Sequence, residues 1–174
     1  KKWSSIHGCR FGILSSSGTD SIHVAIQSLK EIHGWHDGDE IITAASTFVA
    51  TVNSILLNNL TPVLVDVEDG YYGIDPYAIE DAVTPRTRAV LIVHLFGLPC
   101  NYDVVGVARD YDLALVEDSC ETAFVGYKDK MVGSWGDAGA FSFYVCHLVT
   151  SGVGGITTTN REEYASKIRS LVNH

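Results

Sequence analysis

Short apolar runs rich in β-branched residues alternate with helix-length segments along this chain, and few folds accept that alternation. FGILS (11–15), EIIT (40–43), PVLVDV (62–67), RAVLIVHL (88–95), LALVE (113–117), GAFSF (139–143) and GGITTT (154–159) read as strands. From Asp20 to His33 the spacing turns helical, with Ile22, Ala25, Ile26 and Leu29 on one face. Residues 47–58 and 102–111 read the same way. His36-Asp37-Gly38 is a turn signal, and Asp75-Pro76 opens a helix with the acid as N-cap and proline at the first position. Asn160 is placed to open a last helix over 160–173, and TAFVGYKDKMVG suggests a hairpin. The pattern predicts an α/β domain: a mainly parallel sheet flanked by helices on both faces. Such sheets hold ligands at the C-terminal ends of their strands.

Composition narrows the function classes. The 174 residues suit one domain with a sizeable core, and 46% hydrophobic against 19% charged residues marks a globular chain. A net charge of -9 argues against non-specific binding to nucleic acid or to an anionic membrane. It does not exclude an anionic ligand, because local backbone N–H groups can outweigh global charge. The cysteines at 9, 100, 120 and 146 form no CxxC pair and fit no zinc or iron–sulfur framework, so reduced thiols in a cytoplasm are expected. The start, KKWSSIHGCRFGIL, has too short an apolar run for a signal peptide, and no stretch reaches transmembrane length, so a soluble protein is expected.

The residues with chemical promise lie where strands end. Ser15-Ser16-Ser17-Gly18-Thr19-Asp20 joins a strand to a helix, and free N–H groups at a helix start make a phosphate cradle. On this segment alone an ordinary capped loop is the simpler explanation. The fingerprints GxGxxG and GxxxxGK are absent, which removes support for dinucleotide and nucleoside-triphosphate readings. Asp118 follows LALVE. A carboxylate at that strand end can keep a pyridine nitrogen protonated, and it can also be a plain cap. Phe48 could stack on a flat ring or fill the core. Ser142 ends a strand, and His147 follows it ahead of Gly152, Gly154 and Gly155. That setting favours a functional reading of His147, whereas His94 and His174 read as structural.

Taken together these segments resemble the DegT/DnrJ/EryC1/StrS family of nucleotide-sugar enzymes, which have pyridoxal-phosphate (PLP) fold type I, the aspartate aminotransferase-like fold. The resemblance rests on SSGTDSIHVAIQSL, GDEIITAASTFVATVNSIL, PVLVDVEDGYYGIDPYAIEDAVTPRTRAVLIVHLFGLP, VEDSCETAFVGYKDKMVGSWGDAGAFSFY and IRSLVNH. It implies that 1–174 is the cofactor-binding large domain, incomplete at both ends relative to the family, with the small domain outside this chain. By the same resemblance Gly18, Thr19 and Asp20 match the phosphate-binding loop and Ser142 the serine on the phosphate. Phe48 matches the aromatic that stacks on the ring and Asp118 the acid on the pyridine nitrogen. Glu121 stands where the family has Gln or His near the cofactor's 3-hydroxyl. The implied cofactor is pyridoxal 5'-phosphate or pyridoxamine 5'-phosphate (PMP), with no metal.

Position 147 in the family's aminotransferases is the lysine that bonds to the cofactor. Here it is histidine, and an imidazole forms no Schiff base. The lysines at 1, 2, 30, 128, 130 and 167 do not fall at that strand end. The family has a branch with this replacement, the 3-dehydratases of nucleotide-linked 4-keto-6-deoxyhexoses in deoxysugar biosynthesis, including that of lipopolysaccharide O-antigen. The resemblance therefore implies such a dehydratase, with His147 as acid and base. Its implied partners are a nucleotide-linked 4-keto sugar, a second copy in a homodimer, and either glutamate as amino donor or, in the branch's other type, an iron–sulfur cluster with a separate reductase. The alternatives are a nucleotide-sugar aminotransferase and a non-catalytic binding protein that keeps the fold.

Overall fold

A computed structural model gives the structure, and it describes residues 1–173. The expected runs form strands β1 (Phe11–Ser15), β2 (Glu40–Ala44), β3 (Thr61–Val65), β4 (Thr87–Val93) and β5 (Ala114–Asp118). A two-stranded hairpin follows, β6 (Gly126–Tyr127) and β7 (Lys130–Met131), then β8 (Ala138–Ser142) and β9 (Gly155–Thr159). The main sheet is 7-stranded in the order β1-β9-β8-β5-β4-β2-β3. Strand β9 runs antiparallel to both of its neighbours, and the remaining pairings are parallel. The C-terminal ends of β1, β2, β4, β5 and β8 therefore share one edge.

Alternation along the strands feeds two cores. Ile41, Ala89, Leu91, Val116 and Ala140 pack on one face against α2 (Gly18–His33), α3 (Val49–Leu56) and α6 (Glu162–Val172). Ile42, Val90, Ile92, Leu115 and Phe141 pack on the other against α4 (Pro76–Ala82) and α5 (Asp103–Asp110). Strands covered on both faces need apolar residues at consecutive positions, which is why EIIT and RAVLIV read as continuous runs. Each fully buried Ile or Leu contributes about 1.5–3 kcal/mol. Among the described residues no helix is long and apolar enough to cross a membrane.

The helices follow their local signals with informative exceptions. On α2, Ile22, Ala25, Ile26 and Leu29 are buried, Ser17 Oγ caps the Asp20 N–H at 3.1 Å, and Gly34 ends the helix at φ 66°. Asp75 caps α4 as expected, accepting from Tyr77 N at 2.9 Å. Asn160 does not cap α6. Its Oδ1 accepts from Arg10 N at 2.8 Å, and the Arg161 N–H goes to Thr159 Oγ1 instead. A short helix that the sequence pattern did not announce, α1 (Lys2–Ile6), packs Trp3 edge-on against Phe141 and Phe143. All the cysteines are free thiols. His94 is buried, in keeping with a structural role, and His174 lies outside the described residues.

Candidate active site

Two glycines close the space between β1, β8 and the start of α2. Gly155 pairs with Ser15 on one side and Ser142 on the other. A Cβ on it would run into the Ser17 carbonyl. A Cβ on Gly18 would lie 2.5 Å from Ser142 Cβ and 2.8 Å from Cys120 Sγ. Both are contacts that side chains do not make, so glycine is what lets the α2 N-terminus seat directly against Ser142. Ser17 takes the Asp20 N–H, which leaves the first N–H groups of α2, those of Gly18 and Thr19, at the helix mouth. The helix dipole adds about half a positive charge there. The Asp20 carboxylate accepts from the Ser16 hydroxyl on the same loop. Backbone donors, a positive helix end and the Ser142 hydroxyl converge on one spot, the chemistry of a phosphate site.

Asp118 ends β5 beside this cradle, paired in register with Ala140 of β8. Its side chain is buried, with Oδ1 accepting from Cys120 N at 3.1 Å and Oδ2 from Thr51 Oγ1 at 2.8 Å. The Cys120 thiol lies under Gly18. Burial first, and then the neighbouring Asp118 carboxylate, push its pKa well above the usual thiol value. It is a neutral floor to the site. Glu121 follows on a half-buried turn, where its Oε2 accepts from Phe96 N at 3.2 Å. That bond ties the loops after β4 and β5 together.

Phe48 stands at the N-cap of α3 and is 65% exposed, so the core explanation for this ring does not hold. His147 sits on the loop after β8. Its N–H donates to Tyr144 O at 3.0 Å, and its ring faces Tyr144 edge-on at 6.5 Å. Its imidazole makes no hydrogen bond among the described residues. The structure thus brings Gly18, Thr19, Ser142 and Asp118 into direct contact or one step from it. Phe48, Glu121 and His147 share the same edge through chain position. Sequence reasoning missed Thr51 and Cys120, which carried no signal. Gly155 was named only as part of the glycine-rich turn after His147, and the structure adds its close approach to Ser17.

The model of the DegT/DnrJ/EryC1/StrS aminotransferase family matches residues 1–174. The chain belongs to that family. The spore coat polysaccharide biosynthesis protein SpsC of Bacillus subtilis (strain 168) is 39% identical over 175 residues, covering 100% of this chain and 44% of that protein. The X-ray structure of an aminotransferase from Psychrobacter cryohalolentis matches with a TM-score of 0.94 at 32% identity, covering 99% of this chain and 43% of that one. An E. coli GDP-4-keto-6-deoxy-D-mannose-3-dehydratase with bound hydrated PLP matches with a TM-score of 0.88 at 29% identity, covering 94% and 43%. The chain spans under half the length of these relatives. Aminotransferase names predominate among the curated relatives, with a 3-dehydratase among them.

The fold is that of the PLP fold type I enzymes, and the DegT/DnrJ/EryC1/StrS family depends on PLP or PMP, with members solved holding one or the other. The residues present fit such a group. The glycine-lined cradle offers a phosphate its donors, and Asp118 keeps an acceptor lone pair on each oxygen for a ring N–H.

Proposed function

We propose that this chain carries the cofactor site of a nucleotide-sugar 3-dehydratase, acting on an NDP-4-keto-6-deoxyhexose with His147 as acid and base. The observation that carries the reading is the histidine on the loop after Ser142, where the family's aminotransferases need a lysine. No lysine among the described residues takes that place. Lys30 pairs with Asp37, Lys167 with Glu31, and Lys128 lies over the rings of Tyr102 and Tyr127.

In this reading the Gly18 and Thr19 N–H groups and the Ser142 hydroxyl bind the cofactor phosphate. Asp118 accepts the ring N–H, Phe48 stacks on the ring, and Glu121 faces its 3-hydroxyl. The bound cofactor supplies an electron sink next to the sugar's C3. His147 takes a proton from carbon and returns one to the departing C3 hydroxyl oxygen. Imidazole suits both tasks because its intrinsic range lies nearest neutral pH. The same reading carries a homodimer, a cytoplasmic location and cofactor recycling by glutamate or by a separate reductase, in the making of deoxysugars such as those of O-antigen. The prevalence of aminotransferase names among relatives favours a second reading, a nucleotide-sugar aminotransferase, which requires an amine that bonds to the cofactor.

Native mass spectrometry of the purified chain with pyridoxal and pyridoxamine phosphates, with and without borohydride, separates these readings. Reversible binding without a reduced covalent adduct is the expected result. An adduct trapped on one lysine would overturn the dehydratase in favour of the aminotransferase. Absence of binding to either compound would sink both.

A further inference from the structure

We infer that Thr51 is a positioning residue for the cofactor, acting through Asp118. The inference rests on the reading that Asp118 meets the ring nitrogen. Thr51 is fully buried in the first turn of α3 and donates from Oγ1 to Asp118 Oδ2 at 2.8 Å. Thr47 Oγ1 lies 2.9 Å from Thr51 Oγ1. An ionised carboxylate has no proton to give, so the single hydroxyl proton of Thr51 goes to Asp118. Thr47 must then donate to a lone pair of Thr51. The three groups form a one-way chain that starts beside Phe48 and ends on the carboxylate.

The default for a hydroxyl inside a helix is a bond back to the carbonyl one turn earlier. Ser54, on the same helix, follows it and donates to Ala50 O at 2.7 Å. Thr51 departs from it and reaches across to β5. Cys120 N occupies the other oxygen, Oδ1, at 3.1 Å. With one donor on each oxygen, rotation of the carboxylate about its last bond is stopped. The free lone pairs are held in one plane, which is what a directional bond to a flat ring requires. Because α3 also begins at Phe48, one helix end sets both the stacking ring and the orientation of the acid.

The test compares wild-type chain with Thr51→Val and Thr51→Ser, each titrated with pyridoxamine phosphate carrying 15N in the ring. For Thr51→Val we expect about tenfold weaker binding, in line with loss of one hydrogen bond to a charged group. The ring 15N resonance should leave its wild-type position, and Thr51→Ser should restore both. A role confined to tying α3 to β5 would lower the melting temperature and leave the 15N resonance in place, which would overturn the inference. Should Thr51→Val not fold, Thr51→Ala is read by the same criteria. The underlying reading is checked separately by Asp118→Asn: if that variant binds like wild type with the same resonance, Asp118 does not meet the nitrogen, and the inference falls with it.

Discussion

His94 Nε2 lies 3.1 Å from Glu117 Oε2, with both side chains fully buried. His94 Nδ1 accepts from Cys100 N at 3.1 Å, so the ring proton sits on Nε2 and goes to the glutamate. Glu117 also accepts from the backbone N–H groups of Gly133, Trp135 and Gly136. One carboxylate next to Asp118 thus pins the turn before β8 and, through His94, the loop after β4. Replacing Glu117 with alanine leaves those donors unpaired in a dry core. A stranded buried donor costs about 1–3 kcal/mol, so we expect a total loss of about 3 kcal/mol or more, read from urea unfolding. A loss below about 0.5 kcal/mol, within the ordinary range for surface changes, would contradict this role.

Gly18→Ala places a methyl group 2.5 Å from Ser142 Cβ. The start of α2 or the end of β8 must move to admit it. Overpacking of this kind costs about 1–3 kcal/mol, and here it also opens the proposed phosphate cradle. We expect lower stability together with loss of the stabilisation that added pyridoxamine phosphate gives the wild-type chain. A variant that retained the full ligand-induced shift in melting temperature would show that the cradle does not hold the phosphate.

Acid should weaken the fold through His7. This side chain is buried, its Nε2 accepts from Phe124 N at 3.1 Å, and its Nδ1 donates to Trp3 O at 3.0 Å. Burial lowers its pKa below the ordinary histidine value, against opposing contributions from the Trp3 carbonyl and Glu117. A depressed histidine contributes stability in full above its unfolded pKa of about 6.5 and loses it as pH falls toward the folded value. Protonation also takes away the acceptor of the Phe124 N–H. Urea midpoints measured between pH 7.5 and pH 5.5 should fall for wild type, and His7→Gln should flatten part of that slope. Equal slopes for the two proteins would exclude His7 as a contributor.

The sheet was legible because its strands are buried on both faces, so Ile41-Ile42 and Val90-Leu91-Ile92 show as unbroken apolar runs. The helix α1 was not, since five residues carry too little periodicity and its stability comes from Trp3 packing on Phe124, Phe141 and Phe143. Asn160 offered a good cap by type, yet a distant backbone N–H from Arg10 claimed its oxygen. Among the candidate residues, the places of Asp118 and Ser142 at strand ends could be read from the sequence. Thr51 could not, because a buried threonine in helical register looks like any core residue until β5 is laid beside it. The contact of Gly18 with Ser142 likewise joins segments that only the fold brings together.

His147→Lys tests the position of the proposed acid and base without relying on turnover. The imidazole is replaced by a primary amine on the same loop after β8, at the place where the family resemblance puts the covalent lysine. If residue 147 faces the reacting carbon of bound pyridoxal phosphate, the new amine condenses with the aldehyde, and borohydride reduces the product to a stable secondary amine. Peptide mapping should then find the added mass at residue 147 in the variant and at no lysine in wild type. An amine requires its neutral form to attack, so trapping should increase with pH toward the ordinary lysine value of about 10.4. Binding with no adduct at 147, or an adduct on Lys128 or Lys130 instead, would mean that this loop does not bring residue 147 to the reacting carbon. His147 would then lose its proposed part in the proton transfers.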